Sequence, residues 1–270
     1  MLRIVAMRPP LLGLVLLISF ALPTTRTRLS IADEPSGAAE HSAPIPAACR
    51  QLLLVRAASW SATTGLAQRY ERTQEARWQA VGEPLRVNLG RHGMAWGRGL
   101  QPAQPGPTKR EGDGRTPAGI FRLGPLFGYA ERPPDRASAD FSYIHIHAGT
   151  ACVEDARSPL YNRIVNAGFK SPMIRADGVF RLGFVIEQNA PVVIRGAGSC
   201  VFFHVQRGPA LATSGCTSAS LADLESVVSW LDPQLEPLII ELPEAEYARL
   251  SDDWQLPRAS GAEQETVTPH

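Results

Sequence analysis

The sequence predicts a mainly β fold, a sandwich or barrel with few helices, and three observations carry that reading. From Arg50 onward, short runs with strand character recur about every eight to twelve residues, the spacing of a meander. Phe141–Cys152 alternates between apolar and polar residues with a period of two. A capped helical period is read at one place, over Leu221–Leu231, shortly after Cys216.

Taken in order, Gln51–Ala57, Leu66–Arg72, Arg77–Val81 and Arg86–Gly90 read as the strands of a meander. Trp60 and Trp78 fit core or rim positions. Gly90–Gly97 is glycine-rich but has neither dinucleotide-binding nor phosphate-loop spacing, so a loop is expected there, with His92 structural. In Lys109–Gly119, Asp-Gly and Thr-Pro mark consecutive turns before a strand at Ile120–Leu123. The charges in those turns either face a ligand or are simply solvated. Phe141–Cys152 places Tyr143, His145 and His147 on one strand face. The His-x-His pair invites a zinc reading, but no second cluster completes a ligand set, so no metal is expected. Phe180–Glu187 and Val192–Arg195 read as further strands, and Pro237–Leu242 as the closing one.

Between them lies the stretch around which the chain is organised, Cys200–Trp230. Cys200–Gln206 is almost wholly apolar or aromatic, as a strand covered on both faces should be. Alternation puts Val201, Phe203 and Val205 on one face and Phe202 and His204 on the other. A Gly208-Pro209 break leads to Thr213-Ser214-Gly215-Cys216. Ser220-Leu221-Ala222-Asp223 then opens the helix in the manner of a capping box, and Asp232-Pro233 closes it. A thiol is thus set just ahead of a helix and a short loop from a strand-borne imidazole. An imidazole can take the proton of a thiol that ordinarily titrates near ~8.5. Gly215 leaves the turn backbone open, so that N–H groups at Ser214 and Gly215 can face an oxyanion. The alternative is that Cys216 is a half-cystine and His204 a core histidine.

Composition bounds the rest. A chain of 270 residues with 44% hydrophobic content buries one substantial core, and a net charge of +1 gives no electrostatic reason to expect nucleic acid. The basic residues are 25 arginines and two lysines, Lys109 and Lys170, neither in a setting that looks desolvated, so a Ser-Lys mechanism is not expected. Residues 1–24 read as a signal peptide: Arg3 and Arg8 precede an apolar run, Leu11–Leu22, too short to span a membrane. Residues 25–48 read as a flexible linker, 49–245 as the folded domain and 246–270 as a polar tail. Export to a periplasm or cell envelope follows, with no membrane span once the signal is removed. An oxidising compartment lets Cys49, Cys152, Cys200 and Cys216 pair in three ways, including a tether from Cys49 to Cys152 or Cys200.

The stretches KREGDGRTPAGIFRLGPLFGY, CVEDARSPLYN and GAGSCVFFHVQRGPALATSGCTSASLADLESVVSWLDP, with the closing strand, resemble the catalytic domain of the L,D-transpeptidase (YkuD-type) family over about residues 50 to 243. The resemblance implies a β-rich sandwich or barrel with a helix directly after the cysteine. It implies Cys216 as nucleophile and His204 as proton acceptor and donor, the imidazole oriented by a backbone carbonyl. Backbone N–H groups near the cysteine, here Ser214 and Gly215, would form the oxyanion hole, with no cofactor. The implied substrates are peptidoglycan stem peptides: Cys216 attacks the carbonyl of the third stem residue, D-Ala leaves, and an amine of another stem resolves the thioester. Water in place of that amine makes the enzyme an L,D-carboxypeptidase. A cysteine peptidase on wall peptides and a non-catalytic wall-binding module are the other readings. This chain departs from the better-known members in four respects: Val205 follows His204, Ser214 directly precedes Gly215-Cys216, Ser218 stands where they carry an arginine, and the interval from His204 to Cys216 is shorter. Arg207 or Arg115 is the candidate to replace that arginine in binding a substrate carboxylate.

Overall fold

The computed structural model describes residues 43–166 and 172–258. The apolar run QLLLVRA forms β1 (Gln51–Ala57), whose residues are buried at all but one position, so both faces are covered. It pairs antiparallel with β2 (Thr64–Arg72). The two strands expected over 77–90 are one, β3 (Trp78–Asn88). Gly82 and Pro84 look like breakers in the sequence, yet the structure takes them up as a bulge, where the β2–β3 register shifts between Ala67 and Arg69. Gly82 holds a φ of +65° there, and the Gln68 amide donates to the Val81 and Gly82 carbonyls at 3.1 and 3.0 Å.

The stretch expected to be a loop contains β4 (Met94–Trp96), which pairs parallel with β5 (Thr116–Gly128). β5 is far longer than the expected Ile120–Leu123, because it is the seam of the sheet and exchanges partners along its length. The alternating run 141–152 yields two short strands, β6 (Tyr143–His145) and β7 (Thr150–Cys152), broken by a turn in which Thr150 N–H donates to His147 O. β7 pairs with β8 (Ile164–Asn166) outside the main sheet. β9 (Leu182–Ile186) follows. Val192–Arg195 is not a strand: the Asn189 side chain accepts from Ile194 N–H and donates to the Ile194 and Gly198 carbonyls, which curls the segment and leaves Val192 exposed.

β10 (Phe202–Val205) and β11 (Thr217–Ala219) lie parallel to each other. The helix α1 (Leu221–Trp230) opens on Ser220, whose hydroxyl accepts the Asp223 N–H at 3.1 Å, as the capping pattern anticipates. It does not follow Cys216 directly, since β11 intervenes. A short 3₁₀ turn, Pro233–Leu235, leads into β12 (Leu238–Pro243), and α2 (Glu244–Leu250) completes the described elements. Following the pairings β12-β1-β2-β3-β11-β10-β9-β5 and back to β12 closes an eight-stranded barrel. The protein is therefore mainly β, with two α-helices among the described residues.

The domain is longer than its expected limits of 49–245. Ile45 is buried ahead of β1. At the other end, the start of the expected polar tail folds as α2, and Trp254 and Leu256 are buried beyond it. Trp254 meets the edge of Trp96, whose ring centroid is 6.3 Å away, and Trp78 Nε1 donates to the Gln255 carbonyl at 3.0 Å. The expected signal peptide and most of the linker lie outside the described residues. Among the described residues no helix is long and apolar enough to cross a membrane.

Cys152 and Cys200 form the disulfide, and Cys49 and Cys216 are free. The tether considered for Cys49 is thus not formed. Its buried thiol donates instead to the Gln51 carbonyl at 3.2 Å, and burial pushes its pKa up to about 12.

Candidate active site

Strand alternation decides what β10 presents to each side. Val201, Phe203 and Val205 enter the main core, whereas Phe202 joins a second cluster with Phe127, Ile146, Met173, the Cys152–Cys200 bridge and Cys216. His204 shares the Phe202 face, with its ring edge-on to Phe180 at 5.3 Å. In the parallel β10–β11 pair, Phe203 stands beside Thr217 and His204 beside Ser218. That register brings Cys216 alongside Phe202, so Cys216, Ser218, Phe202 and His204 share one face. Cys216 and His204 both line a cavity of about 620 Å³. A larger cavity, about 730 Å³, is lined by residues including Arg56, Leu66, Arg86 and Pro209, with no cysteine or histidine among them.

The turn before Cys216 is pinned from two sides. Thr213 N–H donates to Leu89 O, and Arg91 N–H donates to Thr213 O. The hydroxyls of Thr213 and Thr116 both donate to the Cys216 carbonyl. Gly215 has a φ of +139°, and a Cβ there would lie 3.0 Å from the Arg115 carbonyl oxygen, so the position needs glycine. Gly215 N–H, one of the expected oxyanion donors, is engaged by Thr213 Oγ1 at 3.0 Å. Ser214 lines the cavity and its hydroxyl accepts from Arg91 Nη1 at 3.1 Å. The Cys216 thiol approaches the Cys200 carbonyl at 3.6 Å, so the disulfide half-cystine helps hold the free one.

His204 Nδ1 lies 2.9 Å from Val205 O. A carbonyl only accepts, so Nδ1 carries the proton and Nε2 keeps a lone pair. Desolvation by burial brings the His204 pKa down to about 4, against a backbone carbonyl that raises it. Burial pushes the Cys216 thiol up to about 12, opposed by the Phe202 backbone amide and the charge of Lys109. At neutral pH the pair therefore rests as thiol and neutral imidazole.

The charged residues around the cavity divide by neighbour. Arg175 and Arg207 both meet Asp177, at 2.6 and 3.5 Å, and their charges act on His204. Arg207 lines the cavity as the sequence suggests. Arg115 does not: its guanidinium donates to the Met94 carbonyl at 3.0 Å, and only its backbone carbonyl reaches the Gly215 turn. The charges of Lys109 and Glu154 act on Cys216. Burial and the Glu111 carboxylate raise the pKa of Glu154, and Glu111 itself accepts from Ser199 Oγ at 2.8 Å and from the Tyr161 hydroxyl.

Among the charged residues lining the cavity, Arg91, Glu154 and Arg175 escape sequence reasoning, while Lys109 and Glu111 belong to the turn whose charges were expected either to face a ligand or to be solvated. The expectation that Lys109 is not desolvated is wrong. The side chain is only 6% exposed, paired to Asp113 and donating to Arg110 O at 3.1 Å. The KREGDG charge density was the available signal, because such a turn either faces solvent or folds its charges inward. Lys170 lies outside the described residues. Among the described residues no group of three or more His, Cys, Asp or Glu side chains could hold a metal ion, and His145 and His147 stand with ring centroids 6.0 Å apart. Comparison of the chain with protein-family models, with curated proteins and with solved structures returned no match.

Proposed function

We propose that the protein is an exported, cysteine-dependent acyltransferase of the L,D-transpeptidase kind, acting on peptidoglycan stem peptides. The observation that carries this reading is the free Cys216 on the same sheet face and in the same cavity as His204, whose imidazole is locked by a backbone carbonyl. In the first step Cys216 Sγ bonds to the carbonyl carbon of the third stem residue while its proton passes to His204 Nε2. The tetrahedral intermediate collapses, the C–N bond to D-Ala breaks, and the leaving nitrogen takes the proton from His204. An amine of a second stem then attacks the thioester, loses its proton to His204, and releases the thiol. Arg207, exposed at the cavity wall and 3.5 Å from Asp177, is the cation assigned to a substrate carboxylate.

The test is incubation of the purified protein with disaccharide-tetrapeptides, followed by mass analysis of the products. Cross-linked dimers lacking one D-Ala are expected with the wild type and absent with Cys216→Ala. Tripeptides without dimers would make the protein an L,D-carboxypeptidase, and unchanged tetrapeptide would remove the proposal.

A further inference from the structure

Lys109 sits within the same cavity wall as Cys216, and its surroundings are those of a placed ammonium group. Its stem packs on Gly198, where a Cβ would come within 3.1 Å of Cγ and 3.2 Å of Cε, so a larger residue at 198 would displace the lysine. Nζ lies 3.7 Å from the site of a Cβ on Gly215, the residue before the nucleophile. The Asp113 carboxylate compensates the charge and accepts one N–H, while the Arg110 carbonyl accepts a second. Asp113 is in turn fixed by the backbone N–H groups of Arg110 and Arg115, at 2.8 and 2.9 Å.

An ammonium has three N–H bonds. Among the described residues the third N–H of Lys109 has no protein acceptor, in a side chain 6% exposed that lines the cavity. The Gly215 N–H that the turn was expected to offer is engaged by Thr213. We propose that Lys109 donates this third N–H to the oxyanion formed when Cys216 adds to the substrate carbonyl. As the S–C bond forms, the carbonyl π pair moves onto oxygen, and the negative charge grows beside a cation held in place by Asp113 and the Arg110 carbonyl. When the C–N bond breaks, the pair returns to the carbonyl and the lysine is unchanged. This inference rests on Cys216 being the acyl acceptor.

Two reactions of Cys216 separate the roles open to Lys109. Acylation by a carbapenem passes through an oxyanion, whereas alkylation by iodoacetamide displaces iodide at a saturated carbon and does not. With Lys109→Met, both reactions lose the lysine's charge beside the thiol, and acylation followed by intact mass is expected to slow by about 10²-fold more than alkylation. Lys109→Arg should recover part of the loss. Should Lys109→Met fail to fold, Lys109→Gln is read in the same way. Acylation of the variant at the wild-type rate would overturn the assignment, as would a parallel fall in both reactions, which would place Lys109 on the thiol itself. A wild type that takes no acyl group would instead remove the reading of Cys216 on which the inference stands.

Discussion

At Cys216, burial works against the thiolate, and at His204 it works against the imidazolium. The two shifts leave a neutral thiol and a neutral imidazole, not a preformed ion pair, and pH separates these states. His204 carries its lone pair from about pH 4 upward, because its pKa is displaced down to about 4. In the proposed mechanism acylation uses His204 as base, and so it should hold nearly level from pH 8 to 6 and fall as pH drops toward 4. Iodoacetamide alkylation, which samples free thiolate, should climb about tenfold per unit between pH 7 and 10, since those values lie well below the thiol pKa. An alkylation rate already on a plateau at pH 7 would contradict this account. His204→Ala should fold and lose acylation.

The thiol-imidazole pair was legible because alternation along Cys200–Gln206 fixes the facing of His204, and a glycine before Cys216 suits the turn. The burial of Lys109 was not: the charge density of its turn, Asp113 included, leaves solvated and inward-folded charges equally open, and the choice rests on packing against the distant Gly198 and Gly215.

At the level of elements, the disulfide joins β7 to the segment just before β10 and leaves Cys200 O 3.6 Å from the Cys216 thiol. It spans 48 residues, a loop whose closure restricts the unfolded chain by about 4 kcal/mol. The Cys152→Ser, Cys200→Ser double variant should lose stability on that order by chemical denaturation. It should also be acylated more slowly, since the carbonyl holding Cys216 is released. Unchanged stability and rate would show that the bridge neither closes the loop entropically nor positions the thiol. Among the cysteines, parity could not choose the partners; the fold did, by bringing the Cα atoms of Cys152 and Cys200 to 5.9 Å. Other elements were misread for equally physical reasons. β3 runs through Gly82 and Pro84 because a bulge and the Gln68 amide satisfy the irregular backbone. Val192–Arg195 looks like a strand by propensity, yet Asn189 bonds it into a loop.

For the whole molecule, the recurrent strand signals and the scarcity of helical periods pointed correctly to a mainly β protein. They could not give closure, which depends on β12 pairing with both β1 and β5 across most of the chain length. Nor did the tail read correctly, because Trp254 lies in a polar stretch and its burial comes from Trp96, 158 positions earlier in the chain. The loop 206–216 returns the chain so that β11 runs parallel to β10, which places the free sulfur on the imidazole face. The most direct measurement is the intact mass of the protein after exposure to a carbapenem: a single covalent adduct on the wild type, and none on Cys216→Ala, is the outcome expected. A wild type that remains unmodified, or an adduct that persists without the sulfur at 216, would contradict it.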